Sequence, residues 1–240
     1  MARRTQVLVA GFSDEEAKVA LCDRLWAVGL RAFPARDAGH AVDLLHREGP
    51  FRIAAVCSTA EQRLEMVSAL RAAEDPERLR ILLIGARPPA AEIEATRHAG
   101  ASFGLWEPFH DSELRFVMNQ AGYDAAHGEA RDELRVPTQL AAFVHVGGAR
   151  KPAGVYNLSL RGAYLETPRP NGAGTTIEVE LLLRGRSLRI PAQVVSTNVP
   201  GNLRRANRPI GMGVRFLEVD REAEEQLAKH IETRIDLYKL

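Results

Sequence analysis

The chain has 240 residues, of which 45% are hydrophobic and 26% are charged. This length fits two domains of ordinary size, and the composition is typical of folded domains and not of a disordered chain. Only two cysteines occur, Cys22 and Cys57, and their spacing suits neither a zinc site nor a disulfide framework. No apolar run could cross a bilayer and no signal peptide follows Met1, so we expect a cytoplasmic protein without a membrane-inserted segment.

The charge is unevenly distributed, although the net charge is only +1. Residues 1–129 contain 15 Lys and Arg against 19 Asp and Glu, whereas residues 130–240 contain 17 against 12. The second half is therefore basic enough to attract a small anionic ligand. Its arginines are dispersed and few aromatic side chains lie among them, so we do not expect it to bind nucleic acid.

Residues 1–121 alternate between short apolar runs and amphipathic stretches. The first run, Val7–Ala10, has the length of a buried strand, and Ser13 with Glu16 three residues later is typical of a helix start. This alternation predicts an α/β domain with a doubly wound, five-stranded parallel sheet, in which helices cover both faces of the sheet. The predicted strands are 7–10, 30–34, 53–57, 81–84 and 102–105. The helices predicted after the first one are 41–48, 60–73, around 90–99, and one that begins at Asp111.

Residues 122–130 contain little apolar material and predict a linker, which leaves residues 131–240 as the second domain. There the pattern changes to period-two alternation interrupted by glycine and proline turns, which predicts a six-stranded antiparallel β-barrel. A closing helix over 221–237 presents one apolar face, made by Ala223, Leu227, Ile231 and Ile235. The predicted strands are 136–146, 153–158, 163–166, 176–183, 187–195 and 212–219.

Two of these strands predict which side chains fill the barrel. Alternation places Ile177, Val179, Leu181 and Leu183 inside, together with Ile190, Ala192 and Val194. The same alternation places Glu178, Glu180 and Arg189 on the outside.

The stretch from Arg131 to Gly162 contains the candidate binding residues. Arg131 and Arg135 lie just after the linker, and Asn157, Ser159 and Gly162 lie in a polar turn. Guanidinium groups can grip a planar base through two hydrogen bonds or stack on its face, and a glycine turn lets backbone approach phosphate. Two other interpretations stay open: a helical row in which both arginines pair with nearby acids, and a tight bend without a ligand.

The second half resembles a PilZ domain. The resemblance rests on Arg131 and Arg135 followed by Val136-Pro137, on Asn157, Ser159 and Gly162, and on the late strand 211–216. It implies binding of the bacterial second messenger cyclic di-GMP, with the arginines on guanine and the turn on the other guanine and the phosphate. Many members carry a further arginine where this chain has Ala130, which leaves the number of bound nucleotides open.

The first half resembles a response-regulator receiver domain, through its order of elements and the turn 105–109, Leu-Trp-Glu-Pro-Phe. Phosphoryl transfer in receivers needs acidic, hydroxyl and lysine residues at the ends of the strands. The matching positions here are Gly11 and Phe12, Cys57, Gly85, and Glu107. Such residues can neither hold magnesium nor accept phosphate, which predicts a pseudo-receiver without a metal. We interpret Cys57 as a core residue, and expect the domain to dock a protein partner or to dimerise.

These observations lead to the hypothesis of a cyclic di-GMP effector that is not an enzyme and has no cofactor. Ligand bound across Arg131, Arg135 and the barrel would reorient the two domains and so relay the messenger level to a protein partner. The alternative is a ligand-independent adaptor built from two degenerate modules. Outputs in proteins that share this resemblance include motility, biofilm formation and polysaccharide export.

Overall fold

The structure is a computed structural model, and it describes residues 4–122, 134–200 and 207–235, together with Tyr238 and Leu240. These residues form two compact units. The first contains residues 4–122 with Tyr238 and Leu240, and the second contains the remainder. In the described part of the chain, no helix is long and apolar enough to span a membrane.

The first unit is a parallel sheet of order β2-β1-β3-β4-β5 with five helices. Residues 7–10 and 53–56 are fully buried, as expected for strands covered on both faces. The predicted doubly wound α/β domain is thus confirmed. Its strands are β1 (Gln6–Ala10), β2 (Arg31–Pro34), β3 (Ile53–Cys57), β4 (Arg80–Gly85) and β5 (Phe103–Trp106), and its helices are α1 (Glu15–Ala27), α2 (Ala38–Glu48), α3 (Arg63–Ala73), α4 (Ala90–His98) and α5 (Asp111–Ala121).

The start of α1 differs from the prediction by one residue. Asp14, and not Ser13, caps the helix, and its carboxylate accepts hydrogen bonds from the backbone nitrogens of Glu16 and Ala17 at 2.9 and 3.4 Å. A carboxylate caps as well as a hydroxyl does and also complements the positive end of the helix dipole.

Two residues near the C-terminus pack in the first unit. Tyr238 donates a hydrogen bond to the buried carboxylate of Glu113 in α5, and its carbonyl accepts one from the Gly104 nitrogen at 3.1 Å. Leu240 packs against the apolar core of this unit. The structure therefore differs here from the predicted second domain of 131–240.

The second unit is a closed barrel. Strands β8, β7, β10, β11, β12 and β9 pair in that order, and β9 pairs back onto β8, which confirms the predicted six-stranded antiparallel barrel. A two-residue strand, β6, also pairs with β8. The elements are β6 (Val136–Pro137), β7 (Ala141–Val146), β8 (Ala149–Ser159), β9 (Gly162–Glu166), β10 (Thr176–Leu183), β11 (Arg186–Asn198), β12 (Gly211–Phe216) and α6 (Arg221–Ile235).

The first predicted strand of the barrel, 136–146, was wrong as a single strand. It is divided into β6 and β7, because Pro137 has no N–H for a sheet and the Thr138 hydroxyl accepts a hydrogen bond from the Leu140 nitrogen at 2.8 Å. The division separates β6 from the ring and leaves it beside β8. Val136 and Pro137 pair there with Leu158 and Asn157.

The barrel core agrees with the prediction in both strands. Every side chain predicted to face inward is at most 4% exposed, and Leu227 of α6 packs against the same core. Ala223 and Ile231 of α6 are also buried, whereas Ile235 is partly exposed. Burial of this apolar surface is the main source of stability for the barrel and its helix.

Glu180 is the exception among the residues predicted to be outside. It points away from the core but is only 7% exposed, because side chains from three other strands cover it. His145 Nε2 lies 2.6 Å from its carboxylate, Arg150 Nε lies at 3.3 Å, and the Ser187 hydroxyl donates to it at 3.1 Å. These hydrogen bonds, that from Arg150 being the strongest influence, lower the pKa of Glu180 to about 2.

Glu180→Gln should therefore destabilise the barrel in a pH-dependent way. In the unfolded chain this carboxyl titrates near its ordinary pKa of 4.5, so the stability given by the charged form is present above that pH and is lost as pH falls towards 2. In urea unfolding followed by circular dichroism, the difference in the free energy of unfolding between wild type and E180Q should be largest above pH 5 and should decrease below it.

The matched control is Glu178→Gln, on the same strand. Its carboxylate is more exposed and lies 3.5 Å from the exposed Arg189, and exposed pairs contribute little. If the loss of unfolding free energy in E180Q does not change between pH 5 and pH 2, the role assigned to the charged carboxylate is contradicted. An equally large loss of unfolding free energy in E178Q would contradict this role too.

Candidate functional site

The candidate site lies on the outer face of the β8–β9 hairpin. Leu158 and Ala163 face the barrel core, and alternation places Asn157, Ser159 and Tyr164 on the opposite face. Asn157 is only 4% exposed, Ser159 is not exposed, and Tyr164 is 2% exposed. Polar side chains on the outside of a barrel are normally solvated, so this part of the outer face is covered by other segments of the unit.

The segment around Arg135 is one of these covering segments. Because β6 pairs with β8 through Val136–Leu158 and Pro137–Asn157, Arg135 is held at the edge of the hairpin. Its Nη1 donates a hydrogen bond to Asn157 Oδ1 at 3.0 Å. The structure thus brings together one predicted arginine and the first residue of the predicted turn.

Ser159 and Gly162 have clear roles within the hairpin itself. The Ser159 hydroxyl donates to the Gly162 carbonyl at 3.0 Å and so closes the turn. Gly162 is needed for the packing of β9 against β12, since a Cβ there would lie 2.3 Å from the Val214 carbonyl oxygen. Between them, Leu160 and Arg161 are exposed. These contacts shape the turn whether or not a ligand binds.

Arg131 lies outside the described residues, as do Ala130, Asp132 and Glu133. The geometry of the candidate site therefore rests on Arg135 and the hairpin, and the role of Arg131 stays a prediction.

Sequence reasoning missed two residues beside Asn157. Tyr164 is paired with Asn157 across the hairpin, and the Arg208 guanidinium carbon lies 5.0 Å from the centroid of the Tyr164 ring. Burial raises the pKa of Tyr164 to about 12, although Arg208 opposes this, so the hydroxyl stays protonated and donates to the Pro209 carbonyl at 2.7 Å. Strand alternation from Gly162 could have identified Tyr164. Arg208 lies in a part of the sequence that has no periodic pattern.

The positions compared with the receiver motif lie at the ends of strands in the first unit. Gly11 and Cys57 follow or end their strands at the carboxyl edge of the sheet, and Gly85 has a positive φ of 130°. Cys57 is half-buried, with its Sγ 3.4 Å from the Thr59 hydroxyl. In the described residues, no group of three or more His, Cys, Asp or Glu side chains could hold a metal ion.

A small cavity lies at this edge of the sheet, with a volume of about 120 Å³. Apolar side chains line most of it, among them Phe12, Leu21 and Ile84. A divalent cation prefers several oxygen ligands, whereas this lining offers one carboxylate, that of Glu107, together with the cationic Arg24.

Residues 129–233 match the sequence profile of the PilZ domain. No curated protein matches the sequence. The solved structures it resembles include the chemotaxis protein CheY4 of Vibrio cholerae, at 16% identity and a TM-score of 0.44, covering 50% of this chain and 99% of that one.

Two further solved structures each resemble part of the chain. The PilZ domain of YcgR from Escherichia coli, solved with c-di-GMP, is 21% identical with a TM-score of 0.35, covering 45% of this chain and 93% of that one. The inhibitor of motility MotI/DgrA from Bacillus subtilis is 15% identical with a TM-score of 0.38, covering 45% of this chain and 52% of that one.

Proposed function

We propose that this chain, in which residues 129–233 form a PilZ domain after a receiver-like unit, is a cyclic di-GMP effector that acts by binding and not by catalysis. The observation that carries the proposal is the hydrogen bond from Arg135 Nη1 to Asn157 Oδ1 at 3.0 Å. It supports the view that the arginine segment and the polar turn belong to one site.

The chemistry of these groups suits a guanine nucleotide. Arginine can donate two parallel hydrogen bonds to O6 and N7 of guanine, and its planar group can stack on the base. Arg135 Nη1 donates to Asn157 Oδ1, so the guanidinium is already oriented before ligand binds. A glycine turn such as 159–162 also lets phosphate oxygens approach backbone N–H groups.

The relay to a partner is the second part of the proposal. Arg131 and Arg135 directly follow the predicted linker, so a ligand held by both would order the segment that joins the two units. Binding can shift the orientation of two units only if the two orientations differ in their affinity for ligand. The receiver-like unit, which lacks acidic acceptor chemistry at Gly11 and Cys57, would then serve as the surface for a protein partner or for a second copy.

One observation favours the alternative of a ligand-independent adaptor. Asn157 and Ser159 both have partners inside the unit, in Arg135 and the Gly162 carbonyl, so the hairpin is internally satisfied without a ligand. In that case the PilZ domain would be a structural module and the protein partner would bind constitutively.

Titration calorimetry of the purified protein separates the two functions. We expect saturable heat with cyclic di-GMP at micromolar concentrations and none with cyclic di-AMP, because adenine carries an amino group in place of the O6 acceptor of guanine. Absence of heat from a protein that circular dichroism shows to be folded would overturn the effector function and favour the adaptor.

A further inference from the structure

A second arginine is fixed beside the candidate site by a segment distant in sequence from Arg135. Residues 207–210 precede β12, and hydrogen bonds from the barrel anchor them, among them one from the Thr167 nitrogen to the Ile210 carbonyl at 3.2 Å. The Asn198 side chain donates to the carbonyls of Arg208 and Pro209 at 2.9 and 3.2 Å, and the Tyr164 hydroxyl donates to Pro209 at 2.7 Å. Asn198 is 1% exposed, so this anchor is buried and the backbone at Arg208 is held in one place.

The side chain of Arg208 extends over the ring of Tyr164. The distance of 5.0 Å from guanidinium carbon to ring centroid is in the range of a cation–π contact, and Tyr156 supports the same ring edge-on, with centroids 5.9 Å apart. Because Tyr164 is only 2% exposed, its ring is held in one orientation by the side chains around it. Arg208 as a whole residue is partly exposed.

The register of the hairpin brings together the two side chains that contact Arg135 and Arg208. Asn157, which accepts from Arg135, and Tyr164, which lies under Arg208, are paired across β8 and β9. Paired side chains on one face of an antiparallel sheet have Cβ atoms about 4.5–5.5 Å apart. Two guanidinium groups from separate segments are therefore attached to neighbouring side chains of one surface.

We propose that Arg208 is an additional binding residue of this site and neutralises a phosphodiester of the ligand. The inference rests on the proposed function, since it places Arg208 within the same cyclic di-GMP site. Arg135, hydrogen-bonded to Asn157, is oriented for a base edge, and Arg208 supplies a second fixed positive charge for the anionic backbone of the nucleotide.

The test is calorimetry with cyclic di-GMP on Arg208→Ala, Arg208→Lys and wild type, at low and high salt. We expect R208A to raise the dissociation constant about tenfold, because a charge-assisted hydrogen bond to phosphate is lost. R208K keeps the charge and should bind with intermediate affinity. The affinity of R208A should also fall less steeply with salt, because salt screens one charge pair fewer.

Arg150→Ala is the matched control. Arg150 also lies over an aromatic ring, that of Phe143 at 3.2 Å, but at the other end of β8. We expect its affinity to equal that of wild type. If thermal unfolding shows that R208A is not folded, R208Q takes its place, because glutamine keeps an aliphatic stem but carries no charge.

The outcomes separate this inference from the proposed function. Wild-type affinity in a folded R208A or R208Q, together with weakened binding in an Arg135 variant, overturns the role of Arg208 and leaves the effector function standing. Absence of binding by the wild-type protein overturns both.

Discussion

Replacing Arg135 with alanine is expected to weaken cyclic di-GMP binding at least tenfold. Hydrogen bonds to charged groups contribute about 1.5–3 kcal/mol each, and about 1.4 kcal/mol corresponds to a tenfold change in affinity. The loss would be larger if Arg135 both hydrogen-bonds and stacks on guanine. Calorimetry of the variant against wild type at one salt concentration measures the change.

The same substitution should also cost stability. Arg135 donates to Asn157, which is only 4% exposed, and removing that donor deprives a buried oxygen of its hydrogen bond. This costs about 1–3 kcal/mol, so the folded fraction of R135A must be measured by urea unfolding before its affinity is interpreted.

Arg221→Ala is the control for R135A. Arg221 begins α6, its side chain is 92% exposed, and it pairs only with Glu225 among the contacts described for it. We expect normal affinity and a change in stability within about 0.5 kcal/mol. A folded R135A with wild-type affinity would contradict the assignment of Arg135 to the ligand site.

Gly162→Ala is expected to destabilise the barrel by about 3 kcal/mol, independently of any ligand. A Cβ at this position would lie 2.3 Å from the Val214 carbonyl oxygen. That oxygen belongs to β12, which is paired to β9 through Val214–Ala163 and Arg215–Gly162, so the obstacle is backbone and cannot rotate away. Overpacking of this kind typically costs about 1–3 kcal/mol, and a backbone obstacle places it at the upper end.

Gly172→Ala provides the comparison. A Cβ there would meet no atom within 4 Å and the residue lies in an exposed loop, so its free energy of unfolding should stay within about 0.5 kcal/mol of wild type. Equal stability of G162A and G172A in urea unfolding would show that the strands can separate to accept the methyl group. If G162A is destabilised as expected, weak binding by it reports a distorted barrel and not a lost ligand contact.

Much of the fold follows from patterns within single elements. The uninterrupted burial of β1 and β3 is visible as apolar runs, and the interior of β10 is visible as alternation from Ile177 to Leu183. The environment of Glu180 could not be predicted in this way, because its partners His145, Arg150 and Ser187 come from three other strands. Alternation gives the direction of a side chain but not what lies across from it.

The candidate site shows the same limit. Arg135 and Asn157 were predicted together through their resemblance to a known motif, and the structure joins them through β6, a two-residue strand too short to predict by periodicity. Arg208 belongs to no motif and reaches the site through the hydrogen bonds of Asn198 and Tyr164. Its position depends on tertiary contacts that no local pattern contains.

The packing of Tyr238 in the first unit has a consequence for how the protein is made. A ribosome synthesises residues 4–122 first. The Tyr238 hydroxyl, which donates a hydrogen bond to Glu113, is added only after the whole barrel sequence has been translated. Domains generally begin to fold as they emerge, at about 5–20 residues per second. The first unit must therefore hold its α5–β5 region in an incomplete form for several seconds, and it reaches its final packing only after the second unit has been synthesised.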